Sequence, residues 1–502
     1  MQIVIRADAS FDIGSGHIMR CLVLADALKR KGHQVSFACQ PLPGDLISYI
    51  KKRGHQVTEL NGARESQRAE NIPEGYQSWL QRSQLDDVTD FLARVSHADV
   101  VVTDHYAIAE EWQSVAREAL GCKVIAIDDL VRSHNAEIII DQTLGRKASE
   151  YKNAAVVLAG SEFALLASMF AKKREMVLDG HQLQSPINVL VSMGGVDVPN
   201  ATLQILNVLI DQEDIFITVL LSSRAPHYQE VVQWTAQYDN VVHHDFTENI
   251  ADLMQLNDIA IGAPGTTSWE RACLGLPSVV IPLADNQKTN CEKLVHQGAV
   301  EAVQLNAIQT ELLPAFNKIK QNWLKYRDAN LAICDGLGTN RVVESIERIF
   351  CSEDDHSIEL RRANENDIPI VYQWQCHPET RKYALNPERP SWDEHEKWMR
   401  KKLTCIQNYF YIITFSKNQK PVGALRLDRI STTNYLISIF IDPDHYGKGI
   451  AQMSLARIDA IHKNITIHAT VLKNNLASQQ LFLKAGYDRC SEETFIRKNG
   501  VK

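Results

Sequence analysis

Gln2-Ile-Val-Ile-Arg-Ala-Asp-Ala-Ser10, followed by Gly14-Ser-Gly-His-Ile-Met-Arg20, reads as a buried strand, a glycine-rich turn and the entry to a helix. Ile3, Val4 and Ile5 form the short β-branched run of a strand covered on both faces, and Cys21 to Arg30 has helical spacing. The same alternation recurs at Gln34 to Ala38, Val100 to Thr103, Lys123 to Ile127 and Glu137 to Ile140. A second series runs through Ile187 to Ser192, Ile215 to Leu221, Val241 to His244, Ile259 to Ile261 and Ser278 to Ile281. Strands that alternate with helices make βαβ units and parallel sheets. The two series predict an α/β pair of Rossmann-like lobes, residues 1–165 and 166–350, facing one another across a cleft.

The polar, acidic stretch 351–357 reads as a linker. Beyond it, in 358–502, a strand from Ile358 and a helix over Asp367 to Gln375 precede strands at Phe410 to Phe415, Val422 to Asp428 and Tyr435 to Ile441. A helix from Gly449 and a strand at Thr466 to Val471 complete an α+β pattern with an antiparallel centre. At 502 residues the chain has room for about three folding units, and no internal repeat is visible in it. A net charge of −8 without a polybasic block argues against nucleic acid as a partner. No apolar run is long enough to span a membrane, the start lacks the pattern of a signal peptide, and ten cysteines stand singly, so a cytoplasmic protein without a zinc site is expected.

Gly14 and Gly16 bring backbone N–H groups close to a ligand, which suits a pyrophosphate. The dinucleotide reading fails, because His17 stands where a third small residue is needed and no acidic residue closes the next strand to hold a ribose. A helix N-terminus disfavours a charged imidazolium, as a group that orients or deprotonates water requires; read locally, His17 either does this or simply caps the helix. In the second lobe, Met193-Gly-Gly-Val-Asp197 puts Gly194 and Gly195 after a strand. Further on, Ile261-Gly-Ala-Pro-Gly265-Thr-Thr-Ser-Trp-Glu270 offers N–H and hydroxyl donors at Gly265, Thr266 and Thr267, with Glu270 placed to accept from ribose hydroxyls.

These stretches, with Thr103-Asp-His-Tyr106, Asp128-Asp129 and Asp285-Asn-Gln287, resemble the UDP-2,4-diacetamido-2,4,6-trideoxy-β-L-altropyranose hydrolase family of pseudaminic acid biosynthesis. The resemblance implies a GT-B-like fold and metal-independent hydrolysis at the anomeric carbon with release of UDP. It makes His17 the residue that positions the attacking water, and Asp8, Asp104, Tyr106 and Asn286, with Gln287 beside it, contacts to substrate. Asp128 and Asp129 either join them or merely end a strand. The family pattern Arg-Pro-Glu is replaced here by Ala167-Ser168-Met169, which puts a local contact or hinge in doubt.

In the last domain, Asp442-Pro-Asp-His-Tyr446-Gly-Lys-Gly-Ile-Ala451 offers consecutive N–H groups at Gly447, Lys448, Gly449, Ile450 and Ala451 at a helix start, an anion nest suited to the pyrophosphate of coenzyme A. With Val471-Leu-Lys-Asn-Asn475-Leu-Ala-Ser478, about 30 residues on, this resembles the two signatures of the GNAT superfamily of acetyltransferases. The resemblance implies acetyl-CoA as cosubstrate, contacted by Asn475 and Ser478, and an acceptor such as UDP-4-amino-4,6-dideoxy-N-acetyl-β-L-altrosamine. Tyr446 replaces the usual Arg or Gln, and Phe482 stands where the proton-donating tyrosine is expected. His395 is either a base or a surface-helix residue, and Arg381 and Lys382, near Tyr383, either bind substrate phosphates or lie in solvent. Three other functions remain open at this point: a GT-B glycosyltransferase, a hydrolase with a non-catalytic coenzyme A sensor, and the same activities on another dideoxy amino sugar. Oligomeric state is not legible.

Overall fold

The computed structural model describes residues 1–61, 75–152, 156–180, 182–245, 247, 249–350 and 357–499, except for the side chain of Asn286. Most of the expected linker, 351–356, thus lies outside the described residues. The chain forms two compact units, one of Met1–Arg174 and His181–Ile349, the other of Glu175–Gly180 and Phe350–Lys502.

The first unit holds two sheets. Strands β1 (Gln2–Ala7), β2 (Gln34–Cys39), β3 (Gln56–Glu59), β4 (Val100–Asp104), β5 (Lys123–Ile127), β6 (Ile138–Asp141) and β7 (Val156–Ala159) lie in the order 3-2-1-4-5-6-7. The second sheet is built from β8 (Ile187–Ser192), β9 (Ile215–Leu220), β10 (Val241–His244), β11 (Ile259–Gly262), β12 (Ser278–Val280) and β13 (Val300–Ala302). Its order, 10-9-8-11-12-13, repeats that of the first sheet. The sequence hid this repeat, because each strand needs only to be apolar, and Ile3–Ile5 and Val189–Val191 share a pattern without sharing identities. All pairings in both sheets are parallel, and helices cover both faces. Fully buried Ile and Val side chains therefore line the strands, each contributing about 1.5–3 kcal/mol of burial.

The order reverses between β1 and β4 and between β8 and β11, and in open α/β sheets the crevice outside the carboxyl ends of such strands is where ligands bind. Two local details differ from the expectation. The first helix begins at Gly16, with Ser15 preceding it without capping it through its side chain, rather than at Cys21, which puts His17 and Arg20 on one helical face. The helix Gly338–Arg348 does not stay with the second lobe: Val342, Val343 and Ile346 pack into the core of the first sheet, so a division at 165/166 cuts across the real packing.

The second unit is a seven-stranded sheet ordered 14-15-16-17-18-20-19, from β14 (Ile358–Arg362), β15 (Tyr409–Phe415), β16 (Pro421–Ser431), β17 (Asn434–Ile441), β18 (Thr466–Thr470), β19 (Asp488–Arg489) and β20 (Thr494–Arg497). It is antiparallel except for β17 and β18, whose parallel pairing stops after Leu436 and His468 although both strands continue. The unit includes Glu175–Gly180: Tyr435 donates to the Glu175 carboxylate at 2.8 Å, Arg429 to Asp179 at 2.7 Å and Gln407 to the Leu178 carbonyl at 3.1 Å. Among the described residues no helix is long and apolar enough to cross a membrane, and all nine described cysteines are free.

Candidate active sites

Ala7 and Asp104 are register partners at the ends of β1 and β4, so Asp8 and His105 leave adjacent strands side by side at the point where the sheet order reverses. His17, from the first helix, lies against Asp104, with Nδ1 2.6 Å from Oδ1. Arg20, one turn on, donates to both oxygens of Asp104 at 2.7 Å and to Asp129 at 2.8 Å. Burial alone would favour a protonated Asp104, but Arg20 and then His17 hold it well below the usual carboxylate range. An ionised carboxylate only accepts, so the imidazole donates to it through Nδ1, and Nε2 stands outside this contact. Nε2 has no hydrogen-bond partner among the described residues.

Asp104 is fully buried, and both of its oxygens are occupied by His17, Arg20 and the Cys21 thiol. The expectation that it touches substrate is therefore corrected: it orients His17. Tyr106 closes one side of the imidazole, ring to ring at 4.7 Å, and donates to Asp129 at 2.9 Å; burial and the Asp129 carboxylate push its hydroxyl well above the ordinary value. Asp129 thus belongs to the network, whereas Asp128 is tied to Arg132 and Tyr151 and locks its own loop. Asp8 is fully buried, and its Oδ1 is taken by Arg6 and the Gln40 amide at 2.7 Å each.

Sequence reading missed Trp79 and Tyr76. Trp79 stacks on Tyr106 at 5.4 Å and meets His17 edge-on at 6.1 Å, while Tyr76 packs on both Trp79 and Tyr106 at 5.0 Å. Their short 3-10 helix, Gly75–Leu80, carries no motif of its own. Arg20 was legible only as part of a quoted string, since its role depends on the helix starting at Gly16.

The glycine loops of the two lobes meet. A Cβ at Gly16 would stand 3.6 Å from the Thr266 hydroxyl, and one at Gly195 3.3 Å from the Ser15 hydroxyl. Gly14 and Gly194 have positive φ, as the turns require, and no atom crowds them. Thr266 precedes the helix Thr267–Cys273 without capping it through its side chain, and Gly265 is equally uncrowded. Glu270 follows in that helix, and burial pushes its carboxyl up to about 7, opposed by Arg271. Gln287 uses its side-chain oxygen on the Leu283 amide at 2.9 Å, which leaves only its NH₂ for a ligand. The Asn286 side chain lies outside the described residues. Burial raises the Tyr76 hydroxyl, and the Asp285 carboxylate adds to the effect.

Asp104→Asn is expected to lower unfolding stability by about 3 kcal/mol, because Arg20 stays buried with one of its two carboxylates gone. Chemical denaturation of the full chain measures this, and a loss below about 1 kcal/mol would contradict the network.

In the second unit, Gly447 and Gly449 have φ of 78° and 73°, and Gly449 caps the helix Ile450–Ile461. The first-turn N–H groups of a helix have no intrahelical partner, and no atom lies within 4 Å of where a Cβ would stand at either glycine. Lys448 is exposed, Ile450 is buried and Ala451 is half-buried. These residues and the parted edges of β17 and β18 fit a pyrophosphate joined to an extended amide arm. The Asn475 side chain accepts from the Ser478 amide at 3.1 Å, so it caps the helix Leu476–Lys484 and keeps only its NH₂ for a cosubstrate, while the Ser478 hydroxyl remains. Phe482 is core, packed on Tyr487 and Phe495. His395 is neither a surface residue nor a free base: it is 2% exposed, with Nε2 3.1 Å from the Ile368 carbonyl and Nδ1 3.2 Å from the Gln375 side chain. Arg381 donates to the Asn386 and Glu388 carbonyls and holds a loop, and Lys382 lies over Tyr383.

Residues 357–488 match the acetyltransferase (GNAT) domain family, and residues 188–335 match the glycosyltransferase family 28 C-terminal domain. An uncharacterised protein of Methanocaldococcus jannaschii is 25% identical over 97% of this chain and 97% of its own. The UDP-2,4-diacetamido-2,4,6-trideoxy-β-L-altropyranose hydrolase of Campylobacter jejuni is 27% identical over 59% of this chain and 97% of its own. The crystal structure of MurG from Acinetobacter baumannii covers 69% of this chain and 99% of its own, with 17% identity and a TM-score of 0.49. One polypeptide therefore joins a region homologous to a nucleotide-sugar hydrolase, with a glycosyltransferase family 28 C-terminal domain, to an acetyltransferase (GNAT) domain.

Proposed function

We propose that the first unit hydrolyses UDP-2,4-diacetamido-2,4,6-trideoxy-β-L-altropyranose at its anomeric carbon, and that the second unit N-acetylates the 4-amino precursor of that sugar. These are consecutive steps of pseudaminic acid biosynthesis, in the cytoplasm. The observation that carries the first half is His17, oriented by an ionised Asp104 through Nδ1 and keeping Nε2 for water, beside the meeting point of two glycine loops.

Water donates to Nε2 and attacks the anomeric carbon as the bond from that carbon to the phosphate oxygen breaks, with inversion. The proton goes to His17, where Asp104 stabilises the imidazolium. Charge developing on the departing UDP is met by N–H and hydroxyl donors of Gly194, Gly195, Gly265, Thr266 and Thr267, so the step needs no metal ion. Trp79 and Tyr106 give the sugar an aromatic wall. Glu270, ionised, accepts from the ribose hydroxyls, and the NH₂ group of Gln287 donates to the substrate. Because Glu270 titrates near 7, UDP affinity rises as pH increases through about 7 and levels off above it. Glu270→Gln removes that rise and weakens UDP binding about tenfold at pH 8, as titration calorimetry reads. An affinity flat with pH in the wild type would contradict the role.

In the second unit Gly447, Lys448, Gly449, Ile450 and Ala451 hold the pyrophosphate, and the Ser478 hydroxyl and Asn475 NH₂ face the cosubstrate. Bound acetyl-CoA supplies the acetyl group as a thioester. Phe482 cannot protonate the departing thiolate, so another acid, water or no acid at all serves. The test is proton NMR of the full chain with UDP-4-amino-4,6-dideoxy-N-acetyl-β-L-altrosamine and acetyl-CoA. A new N-acetyl signal followed by free UDP is expected; acetylation without UDP release would sink the hydrolase half. The family 28 match favours one other reading, a glycosyltransferase, which would release UDP only when an acceptor is added.

A further inference from the structure

Directly beyond β1 and β4 stand two buried polar atoms with no hydrogen-bond partner, Asp8 Oδ2 and His105 Nε2, 3.7 Å apart. That distance is too long for a hydrogen bond between them. Neither side chain can drift: Asp8 is 0% exposed and fixed through Oδ1 to Arg6 and the Gln40 amide, and Arg6 is anchored in turn on Asp87. His105 is 2% exposed, and its Nδ1 accepts from the Ala107 amide at 3.1 Å. An Nδ1 that accepts carries no hydrogen, so the hydrogen of the neutral ring is on Nε2. Burial pushes this imidazole down to about 4, against the pull of Asp8, which keeps it neutral at physiological pH. The pair is therefore one acceptor and one donor, 3.7 Å apart. Leaving two such atoms unpaired in a protein interior is costly.

We propose that Asp8 Oδ2 and His105 Nε2–H form a seat for a single oxygen that carries hydrogen, either a water molecule or a hydroxyl of the bound sugar, next to His17. One oxygen about 2.8 Å from both atoms closes the triangle that 3.7 Å leaves open, donating to Asp8 and accepting from His105. An amide N–H satisfies only Asp8, and a carbonyl only His105, so the seat selects for a hydroxyl or water. Trp79 ties the seat to the imidazole of His17: its ring meets His105 edge-on at 6.5 Å and His17 at 6.1 Å. The catalytic significance of the seat rests on the hydrolase reading; its existence does not.

High-resolution crystal structures of the full chain, with and without UDP-2,4-diacetamido-2,4,6-trideoxy-β-L-altropyranose, test this. An oxygen within hydrogen-bond distance of both atoms in the ligand-free protein identifies water, and one that arrives only with the sugar identifies a hydroxyl. No oxygen there in either structure, or direct closure of Nε2 onto Oδ2, overturns the seat. His105→Phe, which keeps a ring without the donor, should lose that oxygen. It should also change kcat if the oxygen is water, or KM if it is a sugar hydroxyl, by about tenfold with UDP affinity unchanged. Unchanged kcat and KM in a folded His105→Phe protein would overturn the part of the seat in catalysis. If the wild type releases no UDP, the hydrolase reading fails, while the oxygen density still decides the seat.

Discussion

Replacing His17 with glutamine lowers UDP release by about a thousandfold while acetyl transfer continues at the wild-type rate. Glutamine keeps a donor for Asp104, so the buried pairs of Asp104 and Asp129 with Arg20 survive and the fold should melt at nearly the same temperature. What disappears is the lone pair on Nε2, which takes the proton from water in the proposed step. A general base is worth roughly 10²–10⁴ in rate, and the middle of that range is expected here because orientation of the sugar is untouched. Acetyl transfer is spared because the glycine nest lies in the other compact unit. The checks are UDP release followed by phosphorus NMR and coenzyme A thiol release on the same preparation. Retention of more than a tenth of the UDP release would remove His17 from the chemistry.

Gly449→Glu does the reverse. Gly449 sits at φ 73°, a left-handed conformation that costs an L-residue about 1–2 kcal/mol, and a Cβ there projects into the uncrowded space in front of the helix start. A carboxylate in that space adds repulsion of order 1–4 kcal/mol against a pyrophosphate. Acetyl-CoA affinity should fall by a hundredfold or more, with thiol release lost at ordinary cosubstrate concentrations and UDP release unchanged. Gly449→Ala separates the two causes, since it carries the backbone strain without the charge and should fall only about tenfold. Equal losses in the two variants would show that charge plays no part.

What was legible in the sequence was local. A β-branched run, a glycine turn and an amphipathic stretch fix a strand, a turn and a helix within a few residues of one another, so the parallel units, the glycine loops and His17 all stand where the pattern put them. Readings failed where the partner is distant in the chain. Asp104 looked like a sugar contact because the residue that claims it, His17, lies 87 positions away, and nothing near Asp104 reports that. The return of Gly338–Arg348 to the first sheet and the inclusion of Glu175–Gly180 in the second unit are likewise docking choices, made by surfaces rather than by helix propensity. His395 was misjudged because a single histidine among Trp392, Glu394 and Trp398 reads as surface, whereas packing of two helices encloses it. Phe482 was read correctly as unable to donate, and its packing against Phe495 gives the reason an aromatic remains there: it fills core.

The most direct test of the hydrolase claim is to incubate the full chain with UDP-2,4-diacetamido-2,4,6-trideoxy-β-L-altropyranose in ¹⁸O-labelled water, with no acceptor present, and to locate the label by mass spectrometry. The account predicts free UDP without label and a reducing sugar that carries ¹⁸O at its anomeric carbon. Label on the phosphate, or a UDP-sugar that stays intact until an acceptor is supplied, would contradict it.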